Sequence, residues 1–210
     1  MTAMIEIKRP AFHLIAPAKR RILETADVLF YDEGIRAVGV DRLISSSSVT
    51  KATFYKHFGS KERLIGDYVD QRHRQAVVEL ADLVEQHSDP EAVLRALQAT
   101  ISHSIASPGF RGCAFINAAS EFSDPTHPVR RSVVTHREWF VGVLEQLLRA
   151  LGHPLAGEAA DDLVLARDGA MTGGYAGDPI AASTALGRAF DRVISESGAW
   201  IGHFQMPPEV

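Results

Sequence analysis

The stretch that decides the fold runs from residue 39 to residue 65 and reads Gly39-Val-Asp-Arg-Leu-Ile-Ser-Ser-Ser-Ser-Val-Thr-Lys-Ala-Thr-Phe-Tyr-Lys-His-Phe-Gly-Ser-Lys-Glu-Arg-Leu-Ile65. Two short helical patterns are joined by a tight turn, and the capped start of a third helix follows them. At about 100° per residue, Phe54 and Phe58 fall on the inner face of the second short helix, residues 51–58. Small, hydroxyl and basic side chains occupy its outer face. This arrangement is typical of a helix-turn-helix that inserts into the major groove of DNA.

The outer face of residues 51–58 carries groups that suit DNA. A major groove presents hydrogen-bond acceptors on guanine and the methyl group of thymine. Lys56 suits those acceptors or a phosphate, Ala52 and the methyl of Thr53 suit a thymine methyl, and the Tyr55 hydroxyl reaches a phosphate. The alternative is an ordinary helical hairpin whose charged face meets water. The agreement of turn, caps and charge favours DNA binding.

Two hydroxyl residues are predicted to begin helices in this stretch. Thr50 accepts a hydrogen bond from the early N–H groups of the second short helix, and Ser60 does the same for the helix that opens with Lys61 and Glu62. The exposed N–H groups and the dipole at such a helix start favour an anion, for example a DNA phosphate.

The charge distribution separates the two ends of the chain. Residues 1–65 contain 11 Lys and Arg against 7 Asp and Glu, whereas residues 66–210 contain 11 against 19. Every lysine lies at or before Lys61. The net charge of −4 therefore hides a basic N-terminal part, which indicates one nucleic-acid face on an acidic body.

Residues 18–65 resemble the DNA-binding domain of the TetR family of regulators. The resemblance rests on residues 21–34, 49–58 and 60–64. It implies an all-helical homodimer whose N-terminal domains bind a palindromic DNA operator and whose C-terminal domains hold a small-molecule pocket. By position it implies phosphate contacts from Thr50, Tyr55, His57 and Lys61. It also places four residues at or near the bases: Lys51, Ala52, Thr53 and Lys56.

The chain departs from the family pattern in the first short helix and its turn. Gly39 stands where the family often has a capping Ser or Thr, so it offers no side-chain acceptor. Ser48 replaces the usual turn glycine, and a serine held in the left-handed region costs on the order of 1 kcal/mol. The run 45–48 also replaces the usual alanines, which are better helix formers. We expect this helix to be less stable before DNA binds.

Length and composition fit a small domain followed by a larger one. We predict an N-terminal extension at 1–17, a helix-turn-helix domain at 18–65, and a helical ligand-binding and dimerisation domain at 66–210. No apolar run approaches the roughly 20 residues that span a bilayer, and the start lacks a cleavable signal pattern. One cysteine among 210 residues suits a reducing cytosol, so we expect a cytoplasmic protein without membrane contact.

The rest of the chain shows helical patterns separated by Pro, Gly and Asp breakers, without strand alternation or an internal repeat. It therefore predicts an all-α fold. The predicted helices span 60–86, 90–107, 113–122, 127–151, 158–175 and 179–197. In the helix at 90–107, a buried stripe is expected at Val93, Leu94, Leu97, Ile101 and Ile105.

The last two predicted helices are rich in Ala and Gly. Glycine inside a helix costs about 1 kcal/mol against alanine, and the close approach of another helix compensates for it. Because the family pairs these helices across a dimer, we predict a homodimer interface here, with contacts inside one chain as the alternative. The expected interface residues are Leu163, Ala166, Ala170, Leu186, Phe190 and Val193.

Residues 111–122 form the second informative segment, because many TetR-like chains have a similar glycine-cysteine helix start near the ligand cavity. Cys113 is predicted to be a small buried residue, and a redox-sensing thiolate is the alternative. An apolar cavity with a few polar groups is the expected ligand site. Its predicted lining is Phe110, Cys113, Phe115, Asn117, Phe122, His136, Trp139, Phe140, Met171 and Tyr175.

Enzyme, metal and cofactor sites are not indicated by the sequence. The nine histidines show no HExxH spacing, and no Cys/His cluster, P-loop or nucleophile elbow is present. We therefore expect no catalytic residue, bound metal or cofactor. The favoured function is a repressor that an unknown small-molecule effector releases from DNA. The alternative is an activator or a non-sensory architectural DNA-binding protein on the same scaffold.

Overall fold

The computed structural model describes residues 5–11, 15–87 and 89–201, the last four of these by backbone only. This part of the chain is helical and contains no strand, as the sequence predicts. Its helices are α1 Pro17–Glu33, α2 Val40–Ser46, α3 Lys51–Phe58, α4 Lys61–Gln86, α5 Pro90–Ala106, α6 Ala114–Ser120, α7 Pro128–Ala150, α8 Ala156–Ala176 and α9 Pro179–Ile201.

The helices are distributed between two compact units. The first unit consists of the described residues of 9–78 and 113–137. The second unit consists of the described residues of 1–8, 79–112 and 138–210. The domain boundaries at 17 and 65 remain a prediction from the sequence.

Helix α1 begins earlier than the family-like pattern at Arg21 suggests. Pro17 occupies the first helical turn, and Ala16 precedes it without a side-chain cap. Proline suits this position because its fixed φ is helical and its missing N–H has no partner there in any case. Of the predicted extension 1–17, residues 5–11, 15 and 16 are described and are not helical, and the others before Pro17 lie outside the described residues.

In the first unit, α1 contacts α4 through an aromatic pair and an ion pair. Phe30 and Tyr68 make an edge-to-face contact with ring centroids 5.4 Å apart. Tyr68 is 2 % exposed, and burial raises its pKa to about 12. Arg72 Nε lies 2.6 Å from Asp27 Oδ1, while burial raises the pKa of that carboxyl despite the arginine. An apolar face and a half-buried ion pair thus hold α4 against α1.

The second unit contains α5, α8 and α9 packed against one another. The predicted stripe on α5 is confirmed, since Val93, Leu94, Leu97, Ile101 and Ile105 are all buried. Helix α8 approaches α5 at Gly174, where a Cβ atom would lie 2.4 Å from Ile105 Cγ2. Glycine at this position allows the two helices to come close.

The predicted dimer interface remains a prediction, although most of its residues are buried inside one chain. Leu163, Leu186, Phe190 and Val193 are each at most 3 % exposed, and Ala170 is 6 % exposed. These side chains belong to the core of the second unit, which is the alternative that the sequence left open. An Ala- and Gly-rich pattern signals close helix packing but does not distinguish a partner helix in the same chain from one in a second copy.

Candidate nucleic-acid interface

Helix α3 has one buried face and one open face. Phe54 and Phe58 are 0 % and 3 % exposed, and their ring centroids lie 5.9 Å apart. The Lys19 ammonium lies 5.3 Å from the Phe58 ring centroid. On the other face the exposed residues are Lys51, Ala52, Tyr55 and Lys56, and the half-buried ones are Thr53 and His57. The helix therefore presents to solvent the side chains that the sequence assigns to DNA.

The turn between α2 and α3 places its serines in distinct roles. Ser48 has φ +52°, and it is the one non-glycine residue with positive φ in the described part of the chain. The N–H of Val49 donates to Ile44 O and the N–H of Ser48 donates to Ser45 O, both at 3.3 Å. This pair of bonds is a Schellman ending, in which the left-handed position is usually a glycine. Ser48 therefore carries the strain that the sequence predicts for it.

The side chain of the neighbouring Ser47 forms a hydrogen bond at the C-terminal end of α2. Its side chain is buried, and its hydroxyl donates to the carbonyl of Leu43 at 2.6 Å. At the other end of α2, Gly39 makes no side-chain cap, as expected for a residue without a side chain. Leu43, the buried residue of α2, is 0 % exposed.

Both predicted capping residues are confirmed. Thr50 Oγ1 accepts from the N–H of Thr53 at 3.2 Å and lies 2.9 Å from the Thr53 hydroxyl. Ser60 Oγ accepts from the N–H of Arg63 at 3.2 Å. The first cap orients the Thr53 side chain on α3, and the second sets the start of α4, where Lys61 lies.

Lys61 is half-buried at the start of α4. Its ammonium lies 5.9 Å from the Phe30 ring centroid. Burial lowers the pKa of this lysine, and the carboxylates of Glu121 and Glu62 counteract that effect. The cation is therefore held against the helix-turn-helix core instead of extending freely into solvent.

One group beside the helix-turn-helix was not predicted. Glu121, which follows α6, accepts hydrogen bonds from the backbone N–H groups of Ile35 and Arg36 between α1 and α2, each at 2.7 Å. These partners are 86 and 85 residues away in the sequence. Helix periodicity carries no signal for a contact of this separation.

Comparison with known proteins agrees with this geometry. The profile of bacterial regulatory proteins, tetR family, matches residues 22–68. The crystal structure of SCO4454, a TetR-family transcriptional regulator from Streptomyces coelicolor, is 39% identical and has a TM-score of 0.82. The match covers 86% of this chain and 95% of that one. The chain belongs to the TetR family.

Two further proteins resemble this TetR-family chain. The HTH-type transcriptional regulator LmrA of Bacillus subtilis is 28% identical over 138 residues, which cover 64% of this chain and 73% of that protein. A TetR-type regulator from Streptomyces avermitilis shares the fold, with a TM-score of 0.73 at 22% identity over 85% of this chain and 98% of that one. The present TetR-family chain is a DNA-binding transcriptional regulator, and its family is generally not enzymatic.

The residues expected around a ligand fall in both units of this TetR-family protein. In the first unit, the Phe115 ring stacks on His136 with centroids 3.5 Å apart, and His136 Nδ1 lies 3.1 Å from His73 Nδ1. Cys113 is buried at the N-cap of α6, and Asn117 is half-buried on that helix. Phe122 stacks on His127 at 4.3 Å and faces the Arg36 guanidinium at 5.6 Å.

The other expected ligand residues lie in the second unit. The ring centroids of Trp139 and Phe140 are 6.2 Å apart, and the guanidinium of Arg167 lies 5.3 Å from the Phe140 ring. Tyr175 is 47 % exposed, with the Arg111 guanidinium 5.1 Å from its ring. Met171 is buried on α8, and Phe110 is half-buried ahead of α6.

A groove of about 400 Å³ lies between α8 and α9 in the second unit. None of the ten predicted ligand residues lines it. Small residues form most of its walls: Ala166, Gly169, Gly173, Ala181, Ala182 and Ala185.

No three His, Cys, Asp or Glu side chains in the described part of the chain form a group that could hold a metal ion. None of the helices it contains combines the length and the apolar composition that a membrane crossing requires.

Proposed function

We propose that this TetR-family regulator is a cytoplasmic repressor that binds a palindromic operator as a homodimer and leaves it when a small molecule binds. The outer face of α3 carries this proposal. Lys51, Ala52, Tyr55 and Lys56 are exposed side by side on a helix whose other face is fixed by Phe54 and Phe58. A helix of this kind fits a major groove and offers both basic and methyl groups to base edges.

The contacts on DNA divide into two classes. Lys51, Ala52, Thr53 and Lys56 are assigned to the base edges, where hydrogen bonds and methyl contacts distinguish sequences. Thr50, Tyr55, His57 and Lys61 are assigned to phosphates, which fix position but carry little sequence information. The Thr50 and Thr53 hydroxyls lie 2.9 Å apart, so a residue assigned to a phosphate and one assigned to a base are neighbours at the start of α3.

The dimer is proposed to form over the groove between α8 and α9. Most of the groove lining is Ala and Gly, with Asp178 and Leu186 as the larger members, and small side chains permit close approach of a second helix pair. Large apolar side chains are exposed on the same two helices, with Leu165 at 63 % and Ile180 at 80 %. A second copy related by two-fold symmetry would cover them. Leu163 and Leu186 stay buried in the core of each chain, and Leu186 also lines the groove.

The effector is proposed to act by a shift of population between two dimer states. One state holds its two α3 helices about 34 Å apart, the spacing of successive major grooves. Effector binding favours a state in which this spacing or orientation is lost. In the first unit, Phe115, Asn117 and His136 are the candidate contacts, because they combine a stacked aromatic surface with polar groups around α6.

The test begins with selection of bound sequences from random double-stranded DNA by the purified protein. A palindromic site bound with salt-sensitive affinity is expected. Transcription from a promoter that carries the selected site should then fall when the protein is present, and small molecules can be screened for release. Increased transcription would favour an activator, and binding without any effect on transcription would favour an architectural protein. Failure to enrich any sequence would contradict the proposal as a whole.

A further inference from the structure

A segment that follows α6 contacts the helix-turn-helix at three points within the first unit. Glu121 binds the connection between α1 and α2, the Phe122 ring faces Arg36, and His127 Nε2 lies 3.0 Å from Glu62 Oε1 on α4. We call residues 121–127 the clasp. The clasp contacts both the entry to α2 and the first turn of α4, so it contacts the chain on both sides of α3.

The Glu121 contact is the most specific of the three. Its two carboxylate oxygens accept from two successive N–H groups, Oε1 from Ile35 and Oε2 from Arg36, each at 2.7 Å. Hydrogen bonds to a charged acceptor are shorter and stronger than bonds between neutral groups. Successive backbone N–H groups that point at one anion also form a recognised anion-binding concavity. The carboxylate therefore fixes the position of this connection directly through its backbone.

The Glu121 carboxylate lies close to three neighbouring residues of the connection between α1 and α2. Gly34 has φ +94°, and a Cβ atom there would lie 3.5 Å from Glu121 Oε1. Ile35 is 2 % exposed and anchors the connection in the core. The Arg36 guanidinium lies over the Phe122 ring at 5.6 Å, next to the carboxylate contact. The backbone between α1 and α2 therefore follows the Glu121 side chain closely.

We propose that Glu121 is a positioning residue for DNA binding, which holds the connection between α1 and α2 so that the helix-turn-helix meets DNA in one orientation. Without the carboxylate the connection gains freedom, and ordering it on DNA then opposes binding. Glu121 contacts neither a base nor a phosphate in this assignment. It acts only through the backbone of residues 35 and 36, and the proposal rests on the DNA-binding activity of the family.

The first test needs no DNA. Amide hydrogen exchange is compared for the wild-type protein, Glu121→Gln and the control Val129→Ala, whose side chain is buried in the same unit on α7. Glutamine keeps the size of glutamate but brings an NH2 group against an N–H donor. Exchange of the Ile35 and Arg36 amides is expected to accelerate in Glu121→Gln and to stay near the wild-type rate in Val129→Ala. Equal exchange in all three proteins would overturn the proposal.

The second test measures affinity for a site selected from random DNA with the wild-type protein. Because Glu121 couples two elements, Glu121→Gln is expected to raise the Kd by at least about fivefold. The slope of log K against log salt should not become smaller, because no cation that meets phosphate is removed and loss of the carboxylate that acts on Lys61 would by itself favour a phosphate. Each protein is measured at the same number of degrees below its own Tm. Under that condition, Val129→Ala should keep the wild-type Kd.

The outcomes separate this proposal from the proposed function. If the wild-type protein selects no DNA, the proposed DNA-binding function is wrong. The hydrogen-exchange comparison still tests whether Glu121 holds the connection between α1 and α2. If the wild-type protein selects DNA and Glu121→Gln binds it with an unchanged or lower Kd, the positioning role is wrong. An equal loss of affinity in Val129→Ala would show that lost stability alone explains the effect, which also overturns the proposal.

Discussion

Gly174 of α8 packs directly against Ile105 of α5, because a Cβ atom at position 174 would lie 2.4 Å from Ile105 Cγ2. We therefore expect Gly174→Ala to destabilise the protein by about 1–3 kcal/mol through overpacking. Gly142→Ala on α7 is the control, since a Cβ there meets no atom within 4 Å. Chemical denaturation measures both. If Gly174→Ala were as stable as Gly142→Ala, the close approach of α5 and α8 would be wrong.

Ser48 offers the opposite case, a position where glycine should help. Its φ of +52° costs a residue with a Cβ about 1 kcal/mol, which glycine avoids. We expect Ser48→Gly to raise the free energy of unfolding by up to about 1 kcal/mol, reduced by the greater freedom of glycine in the unfolded chain. Ser46 is the last helical residue of α2, so Ser46→Gly should lower the free energy of unfolding by at most roughly 0.5 kcal/mol. A lower Tm for Ser48→Gly than for the wild-type protein would contradict the left-handed assignment.

Lys61 and Lys56 should fail in different ways on DNA. We expect Lys61→Ala to weaken all DNA sites alike and to reduce the slope of log K against log salt by about 1. Lys56→Ala and Thr53→Ala should instead change the base preference found in a repeated selection. Arg192→Ala removes an exposed cation from α9 in the second unit and serves as the control. An unchanged affinity and salt slope in Lys61→Ala would remove this lysine from the interface.

The groove between α8 and α9 gives a direct test of the dimer. A long charged side chain at Gly169 would enter the groove, so Gly169→Arg is expected to raise the dimer dissociation constant by about tenfold or more. Gly157→Arg places the same side chain on an exposed part of α8 outside the groove. Analytical ultracentrifugation should find this control dimeric, like the wild-type protein. If Gly169→Arg were also dimeric at the same concentrations, the interface would lie elsewhere.

We expect His73 to make the protein less stable in mild acid. Burial lowers the pKa of this histidine, and the opposing effect of Asp70 and the added effect of Arg74 are smaller. In the unfolded chain its pKa is about 6.5, so below that pH the unfolded state gains a proton before the folded state does. The contribution of neutral, buried His73 to the free energy of unfolding is therefore fully present above about pH 6.5. It decreases as the pH falls through that value.

The measurement compares Tm at pH 7.5 and pH 5.5. We expect the wild-type protein to lose more Tm than His73→Gln over this range, because the variant has no imidazole at this position. His103→Gln removes an exposed imidazole from α5 and should follow the wild-type protein. Equal pH dependence in the wild-type protein and His73→Gln would rule out a contribution from His73.

Local patterns predicted the helix-turn-helix well. The spacing of Phe54 and Phe58 placed both in the core, and the hydroxyls of Thr50 and Ser60 identified the starts of α3 and α4. The strain at Ser48 followed from its place at the end of α2. Each of these features depends on residues within one or two helical turns, where side-chain chemistry and backbone geometry are directly linked.

Features that join distant parts of the chain were not predictable in this way. Glu121 is an unremarked carboxylate in the sequence, and only the fold brings it to the N–H groups of Ile35 and Arg36. The apolar residues Leu163 and Leu186 were rightly expected to meet other helices, but a single sequence does not tell which copy supplies them. Long-range contacts depend on the arrangement of the whole chain, which a helical period does not encode.

The first unit is built from two separate segments of the sequence, and this affects the order in which it assembles during translation. Residues 9–78 leave the ribosome first, but their partners in the same unit are residues 113–137. At about 5–20 residues per second, the chain needs several more seconds before these partners are synthesised. In that interval the N–H groups of Ile35 and Arg36 have no carboxylate to bind, and the nascent helix-turn-helix is incomplete. We therefore expect the first unit to be complete only after more than half of the sequence has been synthesised.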